Sequence, residues 1–215
     1  MKLFSYWRSS ASYRVRIALN LKQINYEYIP VHLVKEGGQQ HSIDYAQKNP
    51  ANLVPTLFDE NTNMTLNQSL AIIEYLDDQY PETMLLIPDN IKQKSLVKTL
   101  SYDIACDIQP LGNLRVLNYL VDDLSQSNEA KVQWAKHWIE KGFSAVERRV
   151  EKCSGRFCVG DKVSMADLVL IPQAYNANRF GMDLSCYPTI ARIVEECNLL
   201  EAFIQAMPEQ QPDAL

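Results

Sequence analysis

Three features of this 215-residue chain predict an α/β first half followed by an all-helical second half. Short runs rich in Tyr, Ile, Val, Leu and Phe at residues 3–6, 26–31 and 54–59 are separated by stretches of helical pattern. Such strand-length runs stop by about residue 80. From about residue 92 to 207, apolar side chains recur instead at three- to five-residue spacing, the signature of helices with one buried face.

Leu3-Phe4-Ser5-Tyr6 reads as the first strand, and residues 11–22 as the helix that follows. Between them lies Ser9-Ser10-Ala11-Ser12-Tyr13-Arg14-Val15-Arg16, with three serine hydroxyls where the strand turns into the helix. Backbone N–H groups at a helix start lack intrahelical partners and carry partial positive charge, so such a turn can hold an anion or a thiolate. The residues alone leave two readings open: a hydroxyl that donates to a bound thiolate, or an ordinary serine N-cap.

The run at 26–31 completes a β-α-β unit. After the polar stretch Lys35-Glu36-Gly37-Gly38-Gln39-Gln40 come Val54-Pro55-Thr56-Leu57-Phe58-Asp59, a turn at 60–63, Met64-Thr65-Leu66, and a helical run at 69–76. The sum, β-α-β-(helical loop)-β-β-α, is a thioredoxin-like order, predicted over residues 1–80. Tyr80-Pro81-Glu82 and Ile87-Pro88-Asp89 mark a linker at 81–91. An all-helical domain is predicted over 92–215. Leu96, Leu100, Ile104 and Ile108 form one stripe there, and Trp134, Trp138, Ile139, Phe143 and Val146 another; both read as core. Ser164-Met165-Ala166-Asp167 is a capping box with Asp in the usual Glu or Gln place, a structural feature rather than a chemical one.

A formal charge of −5 argues against a nucleic-acid partner, because phosphate binding rests on a concentrated basic surface. No apolar run reaches the roughly 18–20 residues that span a bilayer, and no basic segment followed by an apolar stretch opens the chain; a cytoplasmic protein with a small ligand is expected. All five cysteines lie in the second half without a Cys-x-x-Cys pair, and the three histidines are scattered, so buried structural thiols and no metal site are expected. If the first half does thiol chemistry, the sulfur must come from a bound cofactor.

Along its whole length the chain resembles the cytosolic glutathione transferases. The resemblance rests on the thioredoxin-like half, Val54-Pro55, Gln68-Ser69 opening a helix, the proline-bearing linker and the Ser164–Asp167 capping box. Within that superfamily the serine turn, Gly37-Gly38-Gln39-Gln40, Asp107-Ile108-Gln109-Pro110-Leu111 and Val159-Gly160-Asp161 are similar to the zeta class, whose members act as maleylacetoacetate isomerases.

The resemblance implies a glutathione cofactor and assigns residues to it. Ser9 is the hydroxyl facing the glutathione sulfur, with Ser10, Ala11 and Ser12 in the same turn and Ser10 assisting the chemistry. Val54, before a proline that the family keeps cis, offers its backbone N–H and C=O to the cysteinyl unit. Gln68 and Ser69 bind the γ-glutamyl carboxylate at a second helix start, where Ser69 could equally be a plain N-cap; Gln40 reaches the glycyl end. A dicarboxylate substrate needs local positive charge. Arg8, Arg115 and Arg179, with Gln109, Asn113 and Leu114, match the family's substrate side, and Gln109 also faces glutathione. For each arginine a surface role or an ion pair stays open. Arg14 and Arg16, inside the first helix, are assigned to structural pairing.

Where some zeta enzymes have cysteine third in a Ser-Ser-Cys-Ser turn, this chain has Ala11, so no protein thiol takes part at that spot. The implied activity is glutathione-dependent cis–trans isomerisation of maleylacetoacetate to fumarylacetoacetate, in phenylalanine and tyrosine breakdown, by thiolate addition, rotation and elimination. Maleylpyruvate isomerisation and general glutathione transfer are the close alternatives. A non-catalytic interaction module of the same fold is the alternative of another class. A homodimer is implied by the family.

Overall fold

A computed structural model describes residues 1–214 of the chain. Contacts divide it into two units, Met1–Leu86 together with the segment from Asn198 onward, and Ile87–Cys197.

The first unit is built on a four-stranded sheet of order β2-β1-β3-β4, formed by β1 (Lys2–Ser5), β2 (Glu27–Pro30), β3 (Thr56–Asp59) and β4 (Met64–Asn67). β1 and β2 run parallel; β3 is antiparallel to both β1 and β4. Leu3 and Leu57 face each other across the β1–β3 pair and are fully buried. α1 (Ser10–Leu21) supplies Val15, Ile17, Ala18 and Leu19 to the core and packs against α3 (Ser69–Gln79). It stops where Gln23 takes a left-handed conformation (φ 55°) and the Ile24 N–H turns back to the Leu19 carbonyl. A short α2 (Ile43–Ala46) interrupts the loop between β2 and β3. The strand and helix order is the thioredoxin-like one.

The second unit contains α4 (Ile91–Tyr102), α5 (Leu114–Asp122), α6 (Asn128–Cys153), α7 (Met165–Arg179) and α8 (Pro188–Asn198). α4 runs into a π turn at Asp103–Ile108 and then a 3-10 turn at Gln109–Gly112. A strict four-residue spacing overruns a 3.6-residue turn, and the wider π turn takes up the surplus, keeping Leu100, Ile104 and Ile108 all buried. In α6, Ile139, Phe143 and Val146 are core, whereas Trp134 and Trp138 are only half-buried; Trp134 Nε1 donates to the Leu111 carbonyl at 2.8 Å. Asp167 is fully buried in the capping box, where its Oδ2 accepts from the Ser164 N–H at 2.8 Å and its Oδ1 from the Cys158 N–H at 2.8 Å.

The C-terminal boundary differs from the sequence reading. α9 (Glu201–Ala206), placed by periodicity in the helical domain, packs on α1 in the first unit, because the buried Arg16 guanidinium donates to the Ala206 carbonyl at 3.0 Å. The early part of the expected linker is also held there. Lys22 Nζ pairs with Asp77 at 2.9 Å and donates to the Met84 carbonyl at 3.0 Å, while Asp77 accepts from the Leu86 N–H. The expectation of buried cysteines holds for Cys158 and Cys197; Cys153 is half-buried, Cys106 and Cys186 are exposed, and all five are free thiols. Those two exposed positions fall on a π turn and a 3-10 turn, outside the apolar stripes.

Candidate active site

Ser9 is the N-cap of α1, with extended backbone (φ −71°, ψ 118°), and its Oγ accepts from the Ser12 N–H at 3.2 Å. A hydroxyl that accepts through a lone pair still has its own proton to donate, so capping and thiol activation use different parts of one group. The structure shows the cap, and the cap leaves the second reading of the turn chemically compatible with it. Ser10 is buried, Ala11 half-buried, and the buried Ser12 hydroxyl has no hydrogen-bond partner among the described residues. Burial keeps the thiols of Cys158 and Cys197 protonated, by raising both pKa values, so neither offers a nucleophile.

Gln68 stands at the N-cap of α3 in a left-handed conformation (φ 71°, ψ 113°), rare for a residue with a side chain, and that side chain makes no bond to the helix. Ser69 is not a cap: it is the first helical residue, and its Oγ accepts from Arg14 Nη1 at 3.2 Å. This bond ties the start of α3 to α1, so Arg14 has the structural role expected of it and brings the two candidate anion-binding helix starts into one unit. Arg16 is structural too, but its partners are carbonyls and a hydroxyl rather than a carboxylate.

The Val54–Pro55 peptide is cis and Val54 is buried. The preceding Leu53 carbonyl accepts from the Tyr45 hydroxyl at 2.6 Å and from Asn49 Nδ2 at 2.7 Å, two supports that no local sequence signal marks. Gln40 is buried; its Nε2 reaches the Leu33 carbonyl only at 3.5 Å, and its Oε1 has no partner among the described residues. The backbone of Gly38 (φ 97°) favours glycine, and a Cβ there would push the Gln40 carboxamide out of its present place. Arg8 is half-buried with its guanidinium 5.3 Å from the Trp7 ring centre.

In the second unit Gln109 opens the 3-10 turn and is half-buried. Asn113 caps α5, its Oδ1 accepting from the Arg115 N–H at 3.1 Å, with Leu114 half-buried and Arg115 exposed. Arg179 ends α7, exposed, 4.9 Å from the Phe180 ring centre. A separate cavity of about 560 Å³ in the first unit, lined by Phe4, Val31, His41, Tyr45 and Lys48 among others, includes none of the expected site residues. Among the described residues no group of three or more His, Cys, Asp or Glu side chains is placed to hold a metal, and no helix is long and apolar enough to cross a membrane.

The polar groups suit glutathione: two helix starts for anionic groups, the Ser9 hydroxyl as a donor, and a buried Ser12 hydroxyl and Gln40 Oε1 acceptor that have no partner among the described residues. A thioredoxin-like sheet bearing such a turn, together with a helical unit, defines a protein of the glutathione-transferase type. The sequence matches the glutathione S-transferase N-terminal domain over residues 3–84 and the C-terminal domain over 114–211. It is 50% identical over 212 residues to a "Probable maleylacetoacetate isomerase" of Vibrio cholerae, covering 99% of this chain and 97% of that one. Its fold is similar to a maleylacetoacetate isomerase from Methylobacterium extorquens AM1 with bound malonate and GSH (TM-score 0.95, 38% identity, 100% of both chains). It is equally similar to a holo maleylpyruvate isomerase described as a bacterial zeta-class glutathione transferase (TM-score 0.94, 41% identity, 100% of both chains). The chain belongs to the glutathione S-transferase family and, within it, to the zeta class.

Proposed function

We propose that this chain is a glutathione-dependent cis–trans isomerase that converts maleylacetoacetate to fumarylacetoacetate in phenylalanine and tyrosine catabolism. The observation that carries the reading is Ser9, whose oxygen accepts from the Ser12 N–H at the start of a twelve-residue helix and so keeps its O–H as a donor. The full-length relative from Vibrio cholerae supports the choice of substrate.

When bound, glutathione supplies the sulfur nucleophile that adds to the cis double bond and is expelled, unchanged, after rotation about the bond made single. The protein's part begins with ionisation. A free thiol of pKa about 8.5 is only a few per cent thiolate at pH 7, and each unit of lowering needs about 1.4 kcal/mol of preferential stabilisation. The Ser9 hydroxyl donates to the anionic sulfur, and the first N–H groups of α1 add their partial positive charge. Ser10 contributes its backbone N–H to the same turn. Val54 pairs through its backbone with the cysteinyl unit, Gln68 and the Ser69 N–H take the γ-glutamyl carboxylate, and Gln40 takes the glycyl end through its Nε2, which otherwise reaches the Leu33 carbonyl only at 3.5 Å. By the family resemblance, Arg8 in the first unit is assigned to a substrate carboxylate, and in the second unit Arg115 and Arg179, with Gln109, Asn113 and Leu114, are assigned to substrate; such cations pair with carboxylates and counter charge on a keto-enolate oxygen.

Purified protein is expected to isomerise maleylacetoacetate only with glutathione present, and Ser9→Ala to reduce turnover about tenfold or more while the fold survives. No turnover of either maleylacetoacetate or maleylpyruvate would leave an interaction module of the same fold. Similarity to the maleylpyruvate isomerase makes that substrate the second reading, and kcat/KM for the two at equal enzyme separates them. The working form is a cytoplasmic homodimer. Exposed apolar side chains on α4 and α5, Ile91, Tyr102 and Tyr119, suit such an interface, and light scattering of the eluted protein measures it.

A further inference from the structure

Residues 6–8 form the turn between β1 and the Ser9 cap, and their backbone is gripped by residues remote in sequence. From α1, Arg16 Nη2 donates to the Trp7 carbonyl at 3.0 Å and Nη1 to the Tyr6 carbonyl at 3.4 Å. From near the C-terminus, Asp213 Oδ2 accepts from the Trp7 N–H at 3.1 Å. The other oxygen of that carboxylate accepts from the Tyr28 hydroxyl at 2.6 Å, which anchors it to β2. Asp213 is also a carboxylate whose field acts on the buried Arg16 charge. Both polar groups of the Trp7 backbone are thus held by charged side chains, and charge-assisted bonds are roughly twice as strong as neutral ones. Two residues further on is Ser9, whose own N–H returns to the Tyr6 carbonyl at 3.0 Å.

We infer that Asp213, together with Arg16, is a positioning residue for the reaction: the C-terminal segment clamps the Trp7 backbone and so sets where the Ser9 hydroxyl stands relative to the start of α1. The inference rests on the reading of Ser9 as the group that faces the glutathione sulfur. Asp213 touches neither substrate nor cofactor in this scheme; it acts through the turn. Its negative charge on its own would disfavour a nearby thiolate, so a positional and a purely electrostatic role differ in sign.

The test compares Asp213→Ala and Asp213→Asn in the full chain with glutathione bound, following thiolate by its ultraviolet absorbance against pH, isomerase kinetics, and exchange of the Trp7 amide. Asn can keep both bonds, accepting from the Trp7 N–H and donating to the Tyr28 oxygen; Ala keeps neither. Asp213→Ala is expected to raise the pKa of the bound thiol by about half a unit to one unit, lower kcat about three- to tenfold near neutral pH with a smaller change in the KM for glutathione, and speed Trp7 exchange. Asp213→Asn is expected to stay within about twofold of the wild type. Tyr28→Phe removes one bond only and is expected to move the thiol pKa less, in the same direction, which reads the clamp even if Asp213→Ala does not fold. A folded Asp213→Ala protein that titrates and turns over like the wild type overturns the inference, as does a lowered thiol pKa in both Asp213 variants. Wild-type protein that fails to ionise glutathione overturns the functional reading as well, a result distinct from either.

Discussion

On the proposed reading one residue serves both stability and chemistry: a lone pair of Ser9 closes the start of α1, and a hydroxyl that accepts keeps a proton it can donate. The same turn was open to two readings in the sequence because a cap and a thiol donor require the same residue type at the same place. Gln40, Gln68 and Val54 had no such local signal. A polar residue in a loop looks like any other, and their roles came only through resemblance to a family. His32 illustrates a different reading of geometry. Its Nδ1 accepts from the Val34 and Lys35 N–H groups at 3.1 and 2.9 Å, and partial burial, then Lys35, hold its pKa below the usual histidine value, with Asp213 opposing. The neutral ring is the bonded form, so the stability it contributes is complete above pH about 6.5 and is lost as pH falls through the lower folded-state value. As pH falls below the ordinary histidine value, the Val34 and Lys35 amides are expected to lose protection relative to their intrinsic exchange rates, with a rising KM for glutathione on the proposed role of Gln40 at the end of this loop.

Among the elements, those that present a regular face to the core were legible. The strands of the first unit, α1, α3 and the Ile139, Phe143 and Val146 face of α6 appear where periodicity placed them. The π turn at Asp103–Ile108 was not legible, since a four-residue stripe reads as an unbroken helix until the overrun is set against the helical repeat. Gly142 of α6 lies against it: a Cβ there would overlap Ile108 Cδ1 and Cγ1. Ala is the better helix former by about 1 kcal/mol, yet overpacking typically costs about 1–3 kcal/mol, so Gly142→Ala is expected to destabilise the protein and to disturb Gln109. Denaturant unfolding measures the first effect, and amide exchange across residues 103–112 the second. The Lys22–Asp77 pair likewise escaped notice, because charged residues near helix ends are usually solvated. Here both side chains are buried, and Asp77 also accepts from the Leu86 N–H. Lys22→Met leaves that carboxylate without its cation and is expected to cost about 3–5 kcal/mol in a urea unfolding curve.

At the scale of the molecule, a change in period near residue 80 separated an α/β part from a helical part, and that contrast survives in the structure. What the sequence could not show is that the chain returns at its end to the part where it began. A stripe on α9 has the same pattern whichever unit it covers, and Asp213 meets the Trp7 N–H across 206 residues of sequence. The first unit therefore depends on both ends of the chain, and its purpose in this account is to hold a serine hydroxyl and a helix start against a borrowed sulfur. The most direct measurement is the pH titration of glutathione bound to the wild type and to Ser9→Ala. The wild type is expected to ionise the thiol at least about one unit below its free value of about 8.5, and Ser9→Ala to raise it by about one unit with turnover down about tenfold. Superimposable titrations of the two proteins would contradict the account.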